Sequence, residues 1–215
     1  MDTGIIFDLD GTLLDTLDDL WDATNYALAQ FGCPPRTREE VRRFVGNGAE
    51  QLIRRAVPGE ENWANVQAVL DVFREYYNTH CRIKTRPYPG ILEALAVLGK
   101  TYPLAVVSNK PDPAVKPLCR AYFGNIFALG ERKGCPRKPA PDMVFSAMEA
   151  IHVERCIYVG DSEVDVATAR NAGVPCLSVL WGFRDRKVIA EAGGVYFCET
   201  PDALPQAIYR LQNLA

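Results

Sequence analysis

Short apolar runs that alternate with helix-like segments constrain the fold of this 215-residue chain more than any other feature. Polar residues rarely interrupt the runs, as is typical of strands that are buried on both faces of a parallel sheet. Right-handed crossovers through the intervening helices would connect such strands. We therefore predict an α/β fold with a Rossmann-like parallel sheet and helices on both faces. The predicted strands are 4–7 (GIIF), 104–107 (LAVV), 156–159 (CIYV), 176–180 (CLSVL) and a weaker one at 195–198 (VYFC), and the helix-like segments of this part are 91–98, 114–122, 141–151, 164–172 and 202–214.

Residues 16–83 interrupt the alternation, because helix-like segments follow one another there without a clear strand between them. Thr37 and Glu40 have the spacing of a capping box, which opens one of these helices. We predict a small helical domain at 16–83, inserted after the first strand into a discontinuous core domain of residues 1–15 and 84–215. Its four predicted helices are 17–28, one that begins at Thr37, 49–56 and 62–80.

Composition excludes several classes of protein. The chain has 24 Lys and Arg against 27 Asp and Glu, so it offers no basic face for nucleic acid. No apolar run approaches the about 18 residues of a membrane-spanning helix, so we expect no membrane partner. The seven cysteines form no Cys-x-x-Cys pair, which argues against a zinc site and a disulfide framework. Free thiols and the lack of a signal-peptide pattern predict a cytoplasmic protein.

Acidic and polar residues follow the predicted strands at the point where each strand ends. The carboxyl ends of parallel strands form the ligand crevice of an open sheet, so we expect these side chains to converge. Aspartate also favours turns and helix N-caps. That preference would explain any one of these residues, but it explains the whole set less well. The residues are Asp8, Asp10, Ser108, Asn109, Lys110, Asp161, Glu163 and Asp165.

Converging carboxylates repel one another unless a cation lies between them. Oxygen ligands without His or Cys favour a hard cation, which here predicts Mg²⁺. Magnesium also binds phosphate oxygens, and this favours a phosphate ester as substrate. Lys138 precedes a predicted helix and is followed by Pro139 and Pro141, so its ammonium is either held rigidly for a phosphate and a carboxylate or is a solvated surface charge.

The segment Phe7–Thr16 (FDLDGTLLDT) resembles the opening signature of the haloacid dehalogenase-like phosphohydrolases. The four motifs of that family occur in order, as Asp8 with Asp10, then Ser108, then Lys138, then 160–165 (GDSEVD). The helical insert resembles the family's cap domain. Within the family, the chain is most similar to phosphoglycolate phosphatases at 44–48, 88–91, 108–111 and 158–172, whereas Gly134-Cys135-Pro136 departs from their usual pattern.

The resemblance implies a magnesium-dependent phosphatase that hydrolyses a small phosphate monoester through an aspartyl-phosphate. Asp8 would be the nucleophile. Asp10 would protonate the leaving group and then accept a proton from water. Lys138 would place a second positive charge beside the phosphoryl group, and Ser108 and Asn109 would help to bind the phosphate.

The same resemblance implies how the metal is held. Asp8, the main-chain carbonyl of Asp10 and Asp161 would bind Mg²⁺ directly. Asp165 would orient metal-bound water without contacting the ion, and Glu163 would either do the same or lie in an exposed turn.

The cap of this family contributes a substrate-selecting loop, and we expect it at Gly46 and Asn47. Arg42 or Arg43 could bind a substrate carboxylate, but the pattern favours a position for both on the solvated face of a helix. The resemblance implies a small phosphorylated metabolite as partner and a monomer or homodimer. The segment 181–184 (WGFR) follows the fourth predicted strand and could reach the rim of the crevice, but no role can be assigned to it.

Several related activities can be weighed from the residues. Asp10 disfavours dehalogenation of haloacids, because the enzymes of this family that catalyse it lack an acid at that position. Phosphonate cleavage in this family needs a lysine of the cap that forms a Schiff base, and it is disfavoured because the first lysine, Lys84, comes after the cap. Pyrophosphate hydrolysis and sugar-phosphate mutation remain alternatives. A sensor of phosphorylated metabolites without turnover is a further alternative, which the completeness of the four motifs disfavours.

Overall fold

The structure, a computed structural model, describes residues 3–59 and 63–214. Six parallel strands form one sheet in the order β5-β4-β1-β6-β7-β8, and a two-stranded antiparallel ribbon pairs β2 with β3. The strands are β1 (Thr3–Phe7), β2 (Leu14–Asp15), β3 (Arg86–Pro87), β4 (Leu104–Pro111), β5 (Phe127–Glu131), β6 (Arg155–Gly160), β7 (Cys176–Val179) and β8 (Tyr196–Cys198).

The helices fall into two groups along the chain. Four lie between β2 and β3: α1 (Leu17–Gln30), α2 (Arg38–Phe44), α3 (Gly48–Ala56) and α4 (Trp63–His80). The others connect the strands of the sheet or follow them: α5 (Ile91–Leu98), α6 (Asp112–Phe123), α7 (Asp142–Ala150), α8 (Glu163–Ala172), α9 (Arg186–Glu191) and α10 (Leu204–Gln212). None of the helices in the described part of the chain is both long enough and apolar enough to span a membrane.

The predicted α/β fold with a mostly parallel sheet is confirmed. Besides the short ribbon of β2 and β3, two elements were not predicted from the sequence. The first is β5, at the edge of the sheet, where Phe127 is only partly buried and the strand ends in Gly130 and Glu131. The apolar run before Gly130 is short and partly exposed, so its sequence cannot be distinguished from the end of the preceding helix. The second is α9, a six-residue helix whose one buried residue is Ile189, which leaves almost no periodic pattern.

The register of the central strands aligns their carboxyl ends. Phe7 of β1 lies opposite Val106 of β4 and Val159 of β6. The residues that follow, among them Asp8 and Asp161, therefore emerge at one edge of the sheet. Alternate residues of each strand enter two separate apolar clusters, as expected for a sheet that is covered on both faces.

The helices α1–α4, which we call the helical unit, have an apolar cluster of their own. It includes Leu28, Ile53, Leu70 and Phe73, all less than 9% exposed. The capping box predicted at the start of α2 is present. Asn62, with which the fourth predicted helix begins, lies outside the described residues. The ribbon of β2 and β3 joins the helical unit to the sheet, and the domain boundaries at 15/16 and 83/84 stay a prediction.

Candidate active site

Lys138 lies between two buried carboxylates at the carboxyl edge of the sheet. Its Nζ is 2.6 Å from Asp8 Oδ1 and 2.8 Å from Asp165 Oδ1. Asp161 completes the group, because carboxylate oxygens of Asp8, Asp161 and Asp165 all lie within 4.8 Å of one another. All four side chains are buried. Residues that are up to 157 positions apart in sequence thus form one compact cluster of three acids and one base.

Asp165 is held on both of its oxygens. Oδ1 accepts hydrogen bonds from Lys138 and from the Tyr158 hydroxyl, whose oxygen is 3.1 Å away. Oδ2 accepts from the backbone N–H of Ser162 at 3.1 Å and from its hydroxyl at 2.6 Å. Every oxygen of this carboxylate therefore has donors from the protein, and Asp165 is suited to hold Lys138 in position.

Asp161 is oriented by the loop that follows β7. The backbone N–H of Phe183 donates to Asp161 Oδ2 at 2.6 Å, and the Thr12 hydroxyl donates to Oδ1 at 3.2 Å. Gly11 approaches the same carboxylate with a φ of +92°, and a Cβ there would lie 2.4 Å from Asp161 Oδ2. Only glycine has both the conformation and the space that this position requires. The turn after Asp10 and the 181–184 segment thus enclose Asp161 from two sides.

Burial shifts the pKa values of these groups. Burial raises the pKa of Asp8 well above its usual value, the carboxylates of Asp165 and Asp161 add to that shift, and Lys138 opposes it. Burial, with Asp165, raises the pKa of Asp161 to about 7. Burial alone lowers the pKa of Lys138, but Asp165 and Asp8 outweigh it and raise the pKa above its usual value. The cluster therefore carries a permanent ammonium and an excess of acidic groups, which is the charge pattern of a cation site.

Asp10 faces the same pocket but has a different partner. Lys110 Nζ donates to Asp10 Oδ1 at 2.8 Å and to the Tyr77 hydroxyl of α4 at 2.6 Å. Burial alone lowers the pKa of Lys110, yet Asp10 and Tyr77 raise it above its usual value. Burial raises the pKa of Tyr77, so its hydroxyl stays neutral. Lys110 is consequently a buried ammonium that links the sheet to the helical unit.

A pocket between the sheet edge and the helical unit contains these groups. Ser108 and Asn109 line it beside the acidic cluster. The Ser108 hydroxyl accepts a hydrogen bond from the backbone N–H of Lys110, which leaves its own hydrogen to donate. The Asn109 amide donates to the carbonyls of Gly46 and Lys138. The lining from the helical unit is Leu20, Val45, Gly46, Gly48, Ala49, Leu52, Phe73, Arg74, Tyr77 and Asn78.

Four residues that the sequence analysis considered for the site lie apart from this group. Asn47 precedes α3 but is not among the lining residues, although its neighbours Gly46 and Gly48 are. Glu163 pairs with Arg184 Nε at 2.9 Å, outside the group of three carboxylates. Arg42 and Arg43, considered both as partners of a substrate carboxylate and as residues of a solvated helix face, do not line the pocket. Arg42 instead contacts the Gly182 carbonyl and Asp185, and Arg43 is exposed.

The contacts of several other residues in the site were not predicted from the sequence. The position of Lys110 at a strand end was predicted, but its contacts with Asp10 and Tyr77 were not. Tyr158 lies inside an apolar run, and nothing in the sequence marks its hydroxyl as a partner of Lys138. Arg184 was expected at the rim of the crevice without a role, and Arg74 lacked a signal, because the orientation of both depends on how the helical unit packs against the sheet.

Comparisons with known proteins agree with this geometry. Residues 5–179 match the model of the haloacid dehalogenase-like hydrolase family. The chain belongs to this family. It is 36% identical over 199 residues to phosphoglycolate phosphatase 1 of Pseudomonas aeruginosa, across 87% of this chain and 72% of that protein. It is also 35% identical to a phosphoglycolate phosphatase of Mesorhizobium japonicum, across 86% and 85% of the two chains.

Solved structures with the same fold as this hydrolase include proteins described as phosphatases. A Lactobacillus delbrueckii subsp. bulgaricus protein, described as a candidate phosphoglycolate phosphatase, superposes with a TM-score of 0.91 at 40% identity, covering 95% of this chain and 97% of that one. CbbY from Rhodobacter sphaeroides, solved with phosphate, superposes with a TM-score of 0.73 at 26% identity over 95% and 96% of the chains. The chain is an enzyme, a hydrolase of the phosphatase type within the haloacid dehalogenase-like family.

Proposed function

We propose that this hydrolase is a magnesium-dependent phosphatase that cleaves a small phosphate monoester through a phosphoryl group carried on Asp8. The observation that carries the proposal is the placement of Lys138 between Asp8 and Asp165, with Asp161 in the same group. A buried nucleophilic carboxylate beside a fixed ammonium is suited to accept a phosphoryl group, since the ammonium offsets the negative charge that the ester brings.

The donor set fits a hard divalent cation. Three buried carboxylates within 4.8 Å offer oxygen ligands, and no His or Cys belongs to that group. Asp8, the Asp10 main-chain carbonyl and Asp161 would hold Mg²⁺. Asp165 has protein donors on both oxygens, which supports a role in orienting the site without contact to the ion. When bound, the ion would supply positive charge to the phosphate oxygens.

The reaction follows from the remaining groups. An oxygen of Asp8 forms a bond to phosphorus as the bond to the leaving oxygen breaks, and Asp10 gives that oxygen a proton. Water then attacks the aspartyl-phosphate, and Asp10 takes back a proton, so that phosphate leaves and Asp8 is restored. The free hydrogen of the Ser108 hydroxyl and the Lys138 ammonium would bind the phosphate oxygens.

Arg74 on the helical unit supports an acidic substrate. The lining that this unit contributes is mostly apolar, and the Tyr77 hydroxyl is already bound to Lys110. The Arg74 side chain is 46% exposed, and its one ion pair within the described residues, to Asp71, is 3.6 Å long. It is therefore available for a carboxylate at the far end of a small phosphate ester. This charge pattern fits 2-phosphoglycolate, the type of substrate that the names of the relatives indicate.

The helical unit would act as a cap over the pocket and exclude bulk water during turnover. The seven free thiols, four of them buried, support a reducing compartment, and we propose the cytoplasm. We expect no nucleic acid or membrane among the partners, and the substrate would be a free metabolite.

A panel of phosphate esters tests the proposal directly. Purified full-length chain would be assayed for phosphate release, with Mg²⁺ and with a chelator, against 2-phosphoglycolate, ethylene glycol phosphate, sugar phosphates, pyrophosphate and p-nitrophenyl phosphate. We expect hydrolysis only with Mg²⁺ and the highest kcat/KM for 2-phosphoglycolate. Hydrolysis that survives the chelator, or no hydrolysis of any ester, would refute the proposal.

A further inference from the structure

Lys110 is a buried charge that the reaction described above does not use. Its side chain is 3% exposed, and its Nζ contacts Asp10 at 2.8 Å and the Tyr77 hydroxyl at 2.6 Å. The ammonium also lies 4.7 Å from the centroid of the Tyr77 ring, within the range of a cation–π contact. An ammonium without partners would be very costly at this depth, so these contacts fix its position.

Asp10 depends on this contact for its orientation. Within the residues that the structure describes, Lys110 is the side chain that contacts the Asp10 carboxylate by a hydrogen bond. One oxygen, Oδ1, is held, and the rotation of the carboxylate is thereby restricted. A group that exchanges protons with the leaving oxygen and with water needs a fixed orientation, because a proton passes only over hydrogen-bond distance.

Tyr77 connects this arrangement to the helical unit. Lys110 lies near the carboxyl end of β4 and Asp10 follows β1, whereas Tyr77 belongs to α4. The ring of Tyr77 stacks on Phe73, a buried residue of the apolar cluster of the helical unit. The Tyr77 hydroxyl therefore reaches Lys110 only while α4 is packed against the pocket.

We propose that Lys110 is a positioning residue that fixes the orientation of the Asp10 carboxylate. Through Tyr77, this orientation depends on the packing of the helical unit against the sheet. The proposal rests on the proposed function, in which Asp10 gives and takes the proton. Lys110 acts through Asp10 and does not contact the substrate.

Kinetics with two classes of leaving group test the proposal in the full-length chain with Mg²⁺. p-Nitrophenolate departs without a proton, so phosphorylation of Asp8 by that ester does not need Asp10, whereas hydrolysis of the aspartyl-phosphate does. For Lys110→Met we expect a rapid burst of p-nitrophenolate equal to the enzyme present, then a steady state about 10²-fold slower than in the parent chain. With 2-phosphoglycolate we expect a similar loss in kcat without a burst, and KM changed by less than about threefold.

Three further variants make the result specific. Tyr77→Phe removes only the hydroxyl, so it should lower kcat by less than Lys110→Met and leave KM unchanged. Lys116→Met removes an exposed ammonium from α6 and should leave both constants unchanged. In an Asp10→Asn background, Lys110→Met should cause no additional loss in kcat, because two residues that act through one group are not additive.

The outcomes separate the alternatives. A slower burst and a raised KM in Lys110→Met would show that Lys110 binds the substrate and would overturn the proposal, as would an unchanged kcat in both Lys110→Met and Tyr77→Phe. If Lys110→Met does not fold, as judged by its thermal transition, Tyr77→Phe and its double variant with Asp10→Asn decide the question. Full turnover in Asp10→Asn would instead refute the proposed function itself.

Discussion

Lys138 balances the charge of the acidic cluster at the scale of single residues. It contacts Asp8 and Asp165 directly and lies 3.0 Å from the Tyr158 hydroxyl. Its loss would leave two buried carboxylates without their cation, and a phosphate ester would meet uncompensated negative charge.

We expect Lys138→Ala to lower kcat by about 10²-fold or more, since a preorganised positive charge beside the phosphoryl group is removed. Steady-state hydrolysis of p-nitrophenyl phosphate measures the effect. Lys133→Ala is the matched control, because it removes an exposed lysine from the same loop. Equal activities of the two variants would contradict the role of Lys138.

We propose above that Arg74 binds the carboxylate of the substrate, and a comparison of two esters tests this role. Ethylene glycol phosphate replaces the carboxylate of 2-phosphoglycolate with an uncharged hydroxymethyl group. We expect Arg74→Leu to lower kcat/KM for 2-phosphoglycolate about tenfold, as for the loss of one charge-assisted hydrogen bond, and to leave ethylene glycol phosphate nearly unaffected. Arg82→Leu, at an exposed arginine beyond the end of α4, is the control. A similar loss for both esters would remove the basis for Arg74 as a carboxylate partner.

At the scale of elements, Arg184 joins the loop after β7 to the end of α2. It donates to the carbonyls of Arg42 at 3.0 Å, Val45 at 2.5 Å and Arg43 at 3.3 Å, and it pairs with Glu163. The last carbonyls of a helix lack partners within the helix, so Arg184 satisfies groups that would otherwise be left buried and unpaired.

We expect Arg184→Gln to lower the free energy of unfolding by about 2 kcal/mol, because the shorter side chain leaves several of these acceptors unsatisfied. Urea unfolding with and without Mg²⁺ provides the measurement. Arg186→Gln, which removes an exposed pair with Glu199, should change stability by less than about 0.5 kcal/mol. The account of Arg184 is wrong if the two variants are equally stable.

At the scale of the whole molecule, the raised pKa of Asp161 makes the free energy of unfolding of the metal-free protein depend on pH. The folded chain keeps a proton on Asp161 up to about pH 7, whereas the unfolded chain releases it near the usual value for Asp. Stability without metal therefore falls as pH rises from about 4 to about 7, and the shift of Asp8 acts in the same direction.

Mg²⁺ binds these carboxylates when they are ionised, so the stabilisation of the protein by Mg²⁺ should increase as pH rises through the same interval. We expect the increase in Tm on adding Mg²⁺ to be larger at about pH 7.5 than at about pH 5.5. Differential scanning fluorimetry at both values, with a chelator as reference, gives the comparison. In Asp161→Asn the increase should be small at both values, and a pH-independent increase in the parent chain would contradict the prediction.

The sequence was sufficient to predict those parts of the fold and of the site that local sequence patterns determine. Asp8 and Asp161 were placed together correctly because the register of parallel strands aligns the residues that follow them. The contacts of Lys110 with Tyr77 and of Arg184 with α2 were not predictable, because each depends on how the helical unit packs against the sheet. The same dependence explains why the sequence could not predict that Arg74 lines the pocket and Arg42 does not.

The proposed phosphoryl group on Asp8 can be trapped and identified. The Asp10→Asn variant should form the aspartyl-phosphate from p-nitrophenyl phosphate and hydrolyse it slowly, so acid quenching followed by peptide mass spectrometry would find it. We expect one added phosphoryl group on the peptide that contains Asp8, and none when Asp8→Asn is added. An intact, unmodified Asp8 during steady turnover, or a phosphoryl group on another residue, would contradict the proposed intermediate.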